Sequence, residues 1–161
     1  MGFRIEGLEN LQQRLRQAGG ENLRLELTRA LRLSALAVHR EASHNVSGGH
    51  PLYRQTGTLA SSIREEVDSG HLEARIGTNV VYGPVHEYGA VIRPKVAQAL
   101  RFPVGTRGAK RPDPETWDGP WATVKSVTIP ARPWLGPALD SARERIIELF
   151  REALQRVLGG R

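Results

Sequence analysis

The side chains that could do chemistry in this chain of 161 residues are first of all five histidines, because cysteine is absent. Without cysteine the chain has no thiolate zinc site, no iron–sulfur cluster, no disulfide and no cysteine nucleophile. His39 and His44 stand five residues apart on a predicted helix, so they diverge by about 140° and cannot share a metal ion. His50 and His71 fall in predicted turns, where polar residues are common.

His86 and Glu87 form the one adjacent pair that is typical of acid–base chemistry, and a hydrolase is therefore one interpretation. No metal-ligand spacing such as HExxH surrounds the pair, and the chain has no G-x-S-x-G motif and no phosphate-binding loop. Glu65 and Glu66 are neighbours on a predicted strand, so they point to opposite faces and cannot act together on one substrate. We therefore predict no catalytic residue, no bound metal and no cofactor.

A basic segment is the second candidate. The formal net charge is +6, which favours acidic partners. Between residues 93 and 111 there are six basic residues and no acidic one: Arg93, Lys95, Arg101, Arg107, Lys110 and Arg111. These residues could neutralise DNA phosphates or meet an acidic protein, and Trp117 or Trp121 could stack on an unpaired base. A nucleic-acid-binding module is a second interpretation, although no helix-turn-helix or zinc finger is recognisable.

Hydrophobic periodicity predicts the elements that position these residues. In chain order, the predicted elements are a short strand and a helix within residues 3–18, a helix from the cap Asn22 to about His44, a β-hairpin of residues 63–67 and 72–76, one helical turn after Asn79, strands 91–93 and 123–129, and a C-terminal amphipathic helix. Pro133 and Pro137 suit the first turn of the last helix. Glu152 and Arg156 can pair on its outer side.

This order predicts a single α+β domain over residues 1–161, with a small antiparallel sheet packed by the long helix of the N-terminal half and by the C-terminal helix. Residues 94–122 contain five prolines, and we predict a long Pro/Gly-rich loop or insertion there. No apolar run is long enough to span a membrane, and Glu6 and Glu9 interrupt the N-terminus where a signal peptide is apolar. We expect the chain in the cytoplasm when it is made.

Four segments in a fixed order resemble a known family. They are IEGLENLQQRL at residues 5–15, TGTLASSI at 56–63, YGPVHEYGA at 82–90 and IPARPWLGPAL at 129–139, followed by the amphipathic helix. Together they are similar to the tail-completion or neck proteins of long-tailed bacteriophages, also described as minor tail components or virion morphogenesis proteins. The resemblance spans nearly the whole chain. The segment between Arg93 and Thr123 looks longer and more basic than the family's minimum.

The resemblance implies a noncatalytic structural protein of the virion, assembled in the bacterial cytoplasm and located at the neck, the junction of head and tail. It implies tail completion and head–tail joining by a homo-oligomeric ring. The implied partners are head-closure or connector proteins and tail terminator or tail tube proteins, with genomic DNA in the lumen as a further contact and no membrane. A tail terminator is an alternative role, because the two roles occupy similar folds.

Five side chains in the matching segments are candidates for the partner interface: Tyr82, His86, Tyr88, Arg132 and Trp134. Arg132 stands between two prolines, and a rigidly presented guanidinium suits recognition of a carboxylate. For the aromatic residues, packing inside the fold is the alternative. In the same way, Trp134 and Leu135 could anchor the last helix while the prolines fix the entry of the chain into it.

Overall fold

The computed structural model describes residues 20–48, 50–52, 56–104 and 118–159. The helices in these ranges are α1 (Glu21–Ser47), α2 (Thr58–Ser62), α3 (Tyr82–Tyr88) and α4 (Gly136–Leu158). The strands are β1 (Ile63–Asp68), β2 (Glu73–Thr78), β3 (Ala90–Ile92), β4 (Leu100–Pro103), β5 (Trp121–Val124) and β6 (Val127–Ile129). The α+β class is confirmed. The strand and helix predicted within residues 3–18 lie outside the described residues.

The core is built on the contact between the two long helices, α1 and α4. Small side chains make this contact possible, since Ala30, Ala42, Ala138 and Ala153 are almost fully buried. Alanine carries only a Cβ atom, so it lets two helix backbones approach closely. The helices run antiparallel. Near the end of α4, Arg156 Nε lies 2.7 Å from Glu26 Oε2 near the start of α1.

The start of α1 differs from the prediction. Asn22 lies inside the helix and does not cap it, because the position before the helix is held by Gly20, which has a φ of 123° and no side chain that could cap the first turn. The helix also continues to Ser47, three residues beyond His44. The face of this helix that the apolar spacing predicts to be buried is the buried one, since Ala35 and Val38 are both buried.

The C-terminal helix is where the sequence places it, with two differences in detail. Pro137 stands in the first turn, whereas Pro133 precedes the helix. The spacing of apolar residues in the sequence places Leu139 on the apolar face of this helix, but in the structure it is 51% exposed. The predicted pair on the outer side is present, with Arg156 Nη1 3.7 Å from Glu152 Oε2. One proline, Pro137, therefore lies in the helix, and the other, Pro133, lies in the segment that leads into it.

The predicted hairpin of β1 and β2 is confirmed, and it packs on α1. In its turn, Asp68 Oδ1 accepts the backbone N–H groups of Gly70 at 2.7 Å and His71 at 3.2 Å. The His71 side chain and these two amides hold the pKa of the Asp68 carboxyl below its usual value. Arg24 of α1 donates to the carbonyl oxygen of Gly70 at 2.6 Å. The turn is thereby tied to the first turns of α1.

Residues 94–122 are not simply the predicted loop. β4 and the start of β5 lie inside that range, where Leu100 pairs with Val124 and Pro103 with Trp121. β3 pairs with β6, and the predicted strand 123–129 is split between β5 and β6. We call residues 90–104 and 118–129 the β-arm. Its four strands form two separate two-stranded antiparallel sheets. In one sheet β3 pairs with β6, and in the other β4 pairs with β5.

Replacing Ala153 with leucine tests the close contact of α1 and α4. Ala153 is fully buried, and extra methylene groups in a well-packed contact cost about 1–3 kcal/mol of unfolding free energy. We expect a lower midpoint of urea unfolding. Ser141→Leu, exposed on the same helix, is the matched control and should change the unfolding free energy by less than about 0.5 kcal/mol. Equal effects of the two substitutions would contradict the close contact.

Candidate functional site

Trp134 is the largest side chain at the point where α1, α3 and the start of α4 meet. It is 2% exposed and packs in the same cluster as Ile63 and Val38. Its ring Nε1 donates to the carbonyl oxygen of Gly83 at 3.2 Å, so the buried indole N–H is satisfied. Its own carbonyl oxygen accepts a bond from Asn45 Nδ2 at 2.8 Å. Trp134 therefore lies inside the fold of the single chain, and its role in an interface stays a prediction.

Glu87 caps α4 from a different element. Its Oε2 accepts the backbone N–H groups of Trp134 at 2.7 Å and Leu135 at 2.8 Å, and its Oε1 accepts that of Gly136 at 2.9 Å. The first N–H groups of a helix have no partner within it, and a carboxylate there also interacts favourably with the helix dipole. Glu87 is therefore committed to holding the start of α4.

His86 makes no bond with Glu87, although the two are neighbours in sequence. Its buried Nδ1 has no hydrogen-bond partner among the described residues, and its ring meets the Tyr82 ring edge-on at 5.9 Å. Burial, and then the positive charge of Arg132, lower the pKa of His86 below its ordinary value and favour the neutral ring. The acid–base pair considered from the sequence is thus not assembled here.

The described residues also contain no group of three or more histidine, aspartate or glutamate side chains that could hold a metal ion. The neighbouring carboxylates Glu65 and Glu66 are not part of such a group either. Glu65 of β1 is paired with His39 of α1, and Glu66 stands in the strand opposite Arg75. These acidic groups are distributed over the hairpin surface and do not converge on a common point.

The glycines of segment 82–90 allow close backbone contacts. A Cβ atom on Gly83 would lie 2.4 Å from Thr78 Cγ2, so a larger residue there would force the Thr78 side chain or α3 to move away. Gly89 has a φ of 73°, and a Cβ atom there would lie 2.9 Å from the backbone nitrogen of Ala131. Beside it, the Arg132 N–H donates to the His86 carbonyl oxygen at 2.7 Å. Segments 82–90 and 129–139 are therefore in direct contact.

Segment 56–63 joins the same site. Thr58 is the first residue of α2. The Thr56 hydroxyl accepts the Thr58 N–H at 3.3 Å, and Gly57 adopts a φ of 80° between them. Ile63, at the end of the segment, is fully buried in the cluster that contains Trp134. We call the meeting point of segments 56–63, 82–90 and 129–139 the motif junction.

Three of the candidate interface residues lie on the surface of the motif junction. Tyr88 is 81% exposed, Tyr82 is 41% exposed, and Arg132 is also exposed. Arg132 makes no salt bridge with any residue in the described ranges. These residues are available to a partner, and their role in an interface stays a prediction.

The basic candidates lie on the β-arm as far as the structure describes them. Arg93, Lys95 and Arg101 are exposed, and none forms a salt bridge with a described residue. The guanidinium carbon of Arg101 lies 4.7 Å from the centre of the Trp121 ring, within the range of a cation–π contact. The candidates Arg107, Lys110 and Arg111 fall outside the described residues.

Glu87→Ala is expected to destabilise the fold. The substitution leaves three backbone N–H groups at the start of α4 without their acceptor, and loss of a helix cap costs about 0.5–2 kcal/mol. Glu87→Gln keeps one acceptor oxygen and should lose less. Urea unfolding measures the change, and Glu144→Ala on the exposed side of α4 is the control. A Glu87→Ala protein as stable as the control would refute this capping role.

The lowered pKa of His86 predicts a loss of stability in acid. Below the ordinary histidine pKa of 6.5, the unfolded chain binds a proton that the folded chain resists, so stability falls as pH decreases toward the lower folded pKa. His86→Gln should flatten the dependence of unfolding free energy on pH between about pH 7 and about pH 5. Arg132→Gln removes only the second cause and should give an intermediate slope. Identical slopes in all three proteins would show that His86 is not responsible.

No described helix is both long enough and apolar enough to cross a membrane. The sequence model of the phage virion morphogenesis family matches residues 33–155. Comparisons with curated proteins and with solved structures give no match. The family match covers most of the chain and includes all three segments of the motif junction. The chain therefore belongs to the phage virion morphogenesis family.

Proposed function

We propose that this protein is a neck subunit that completes the tail and joins it to the head as part of a homo-oligomeric ring. Its family gives it a structural role in virion morphogenesis. The observation that carries the finer proposal is the contrast within the motif junction. Trp134 and Glu87 are fully engaged inside the chain, while Tyr82, Tyr88 and Arg132 are exposed beside them.

That contrast suits a docking surface. Tyrosine and arginine are enriched in protein interfaces, because each combines a large contact area with hydrogen bonding. A side chain on a rigid support also loses less entropy on binding than one on a mobile loop. The backbone of Arg132 is held in place because its N–H donates to the His86 carbonyl oxygen. The backbone position of Arg132 relative to the tyrosines is therefore fixed before a partner arrives.

A closed ring requires two different surfaces on each copy, since each copy contacts its two neighbours through different faces. The motif junction supplies one such surface. The β-arm supplies the other, because Val91 is 55% and Val96 99% exposed, and Phe102 is 39% exposed. A two-stranded ribbon alone is only marginally stable in water. Packing of the β-arm on a neighbouring copy would bury these apolar side chains and stabilise the ribbon.

In this proposal the ring meets head-closure or connector proteins on one side and tail terminator or tail tube proteins on the other. Arg93, Lys95 and Arg101 contact DNA in the lumen or an acidic surface of a partner. Their exposure, and the lack of salt bridges to them from the described residues, support this assignment. The same basic residues favour the second candidate, a nucleic-acid-binding module. In that case affinity for DNA should fall steeply as salt rises, because phosphate contacts release counterions.

The decisive experiment is electron microscopy of particles from the parent phage carrying an early stop codon in this reading frame. We expect DNA-filled heads beside separate tails of normal length, because the joining step alone is lost. A plasmid copy of the wild-type gene should restore joined, infectious virions, which controls for effects on neighbouring genes. Abnormally long tails would instead assign a tail terminator. Intact infectious virions would refute a role at the neck.

A further inference from the structure

One face of α1 is both apolar and basic and lies opposite the buried Val38. A helix turns by about 100° per residue, and this spacing places six side chains on that face: Leu25, Arg29, Arg32, Leu33, Leu36 and Arg40. The leucines are 65%, 40% and 56% exposed in that order, and none belongs to a hydrophobic cluster of the described fold. The three arginines are exposed as well. We call these six residues the outer face of α1.

A groove of about 580 Å³ adjoins the outer face and gives it depth. Leu33 and Leu36 of α1 line one side of the groove, and Ser141 and Arg145 of α4 line the other. Leu149, which is 3% exposed, lies at its base. Neighbouring exposed apolar side chains beside a groove are typical of a contact site for another protein. The outer face therefore offers a partner both an apolar strip and a recess for its side chains.

The charge of the outer face is unbalanced within the chain. Its six residues include three arginines and no carboxylate. In the ranges that the structure describes, no salt bridge involves Arg29, Arg32 or Arg40. Arg29 and Arg32 are also neighbours on the helix surface, where like charges repel each other. A partner that brings carboxylates to this face would remove the repulsion and form charge-assisted hydrogen bonds with the guanidinium groups.

A second copy of this chain is a poor source of those carboxylates. On the hairpin, Asp68 pairs with His71 and Glu73 with Arg75. On α4, an arginine of the same helix pairs with Asp140 and another with Glu148. Nucleic acid fits the face less well, because exposed leucines gain nothing against phosphate and protein–DNA contacts are more polar than protein–protein contacts. The charge and the leucines together favour an acidic, partly apolar segment of a different protein.

We propose that the outer face of α1 binds an acidic amphipathic segment of another protein of the assembling virion. Apolar side chains of that segment cover Leu33 and Leu36 and enter the groove. Its carboxylates pair with Arg29, Arg32 and Arg40, which specifies both the partner and its orientation. The contact uses neither the motif junction nor the β-arm. It goes beyond the proposed function and does not depend on the assignment to the neck.

Photocross-linking in infected cells tests the occupant, because the full chain and its partners are present there. The photoreactive residue p-benzoylphenylalanine is placed at position 36, in a plasmid copy that complements a parent phage with a stop codon in its own copy of the gene. The matched control has the same residue at position 144, which is exposed on α4 and does not line the groove. Unfolding curves of both purified proteins establish that each is folded.

We expect position 36, and not position 144, to cross-link to a different phage protein, at a segment where Asp or Glu residues alternate with apolar ones. Peptide mass spectrometry identifies the segment. Cross-links to a second copy of this chain alone would overturn the proposal and assign the face to self-association. Cross-links to DNA, to a segment without carboxylates, or to no molecule would overturn it as well.

Substitution of the arginines measures the charge contribution separately. In the chain with the photoreactive residue at position 36, Arg29→Gln, Arg32→Gln and Arg40→Gln are combined. We expect the cross-link yield to fall about tenfold, since three surface ion pairs together contribute an effect of that order. The triple lysine variant keeps the charge and should retain most of the yield. Arg143→Gln, exposed on α4, is the control, and a yield equal to this control in the triple glutamine variant would refute the charge pairing.

Discussion

The arrangement around the motif junction depends on the carboxylate of Glu87, on which three backbone N–H groups at the start of α4 converge. Pro133, Trp134 and Leu135 lead into α4, Gly136 and Pro137 are its first two residues, and none of the five has a side chain that accepts hydrogen bonds. The cap must therefore come from elsewhere in the chain. Because α3 supplies it, the position of α3 and the start of α4 are fixed by the same bonds.

α3 also depends on the start of α4. α3 has only seven residues, and a helix of that length is marginal in water by itself. Its bonds to the backbone before α4 and to the Trp134 indole hold it in place. Loss of a helix cap costs about 0.5–2 kcal/mol, so the cap is a substantial local contribution. The motif junction therefore forms as one unit, from segments that are far apart in sequence.

The contrast between local and distant contacts explains what the sequence could predict. α1, α4 and the hairpin of β1 and β2 were predictable, because helical and strand periodicity are local properties of the residues. The pairing of Leu100 with Val124 has no such signal, since the two residues are separated by a proline-rich stretch. β4 was missed for this reason. β5 and β6 are likewise separate strands because β5 pairs with β4 and β6 pairs with β3.

The candidate site shows the same limit. His86 and Glu87 are adjacent in sequence, and this made them resemble an acid–base pair. Successive residues of a helix diverge by about 100°, and the structure gives the two side chains different surroundings. Glu87 accepts hydrogen bonds from backbone N–H groups that are 47 to 49 residues further along the chain. No rule based on residue spacing identifies partners at that distance. For Trp134 too, residue type alone does not distinguish a docking side chain from a core anchor.

The position of the exposed surfaces relative to the motif junction bears on how such a subunit assembles. The junction closes one end of α4, whereas the exposed apolar side chains Ile147 and Leu154 lie toward the other. At 1.5 Å per residue, Leu154 is about 27 Å along the helix from Gly136. A contact made at one end therefore leaves the other accessible. Since α4 is fixed along its length against α1, contacts made at the two ends in the proposed ring would keep a constant separation.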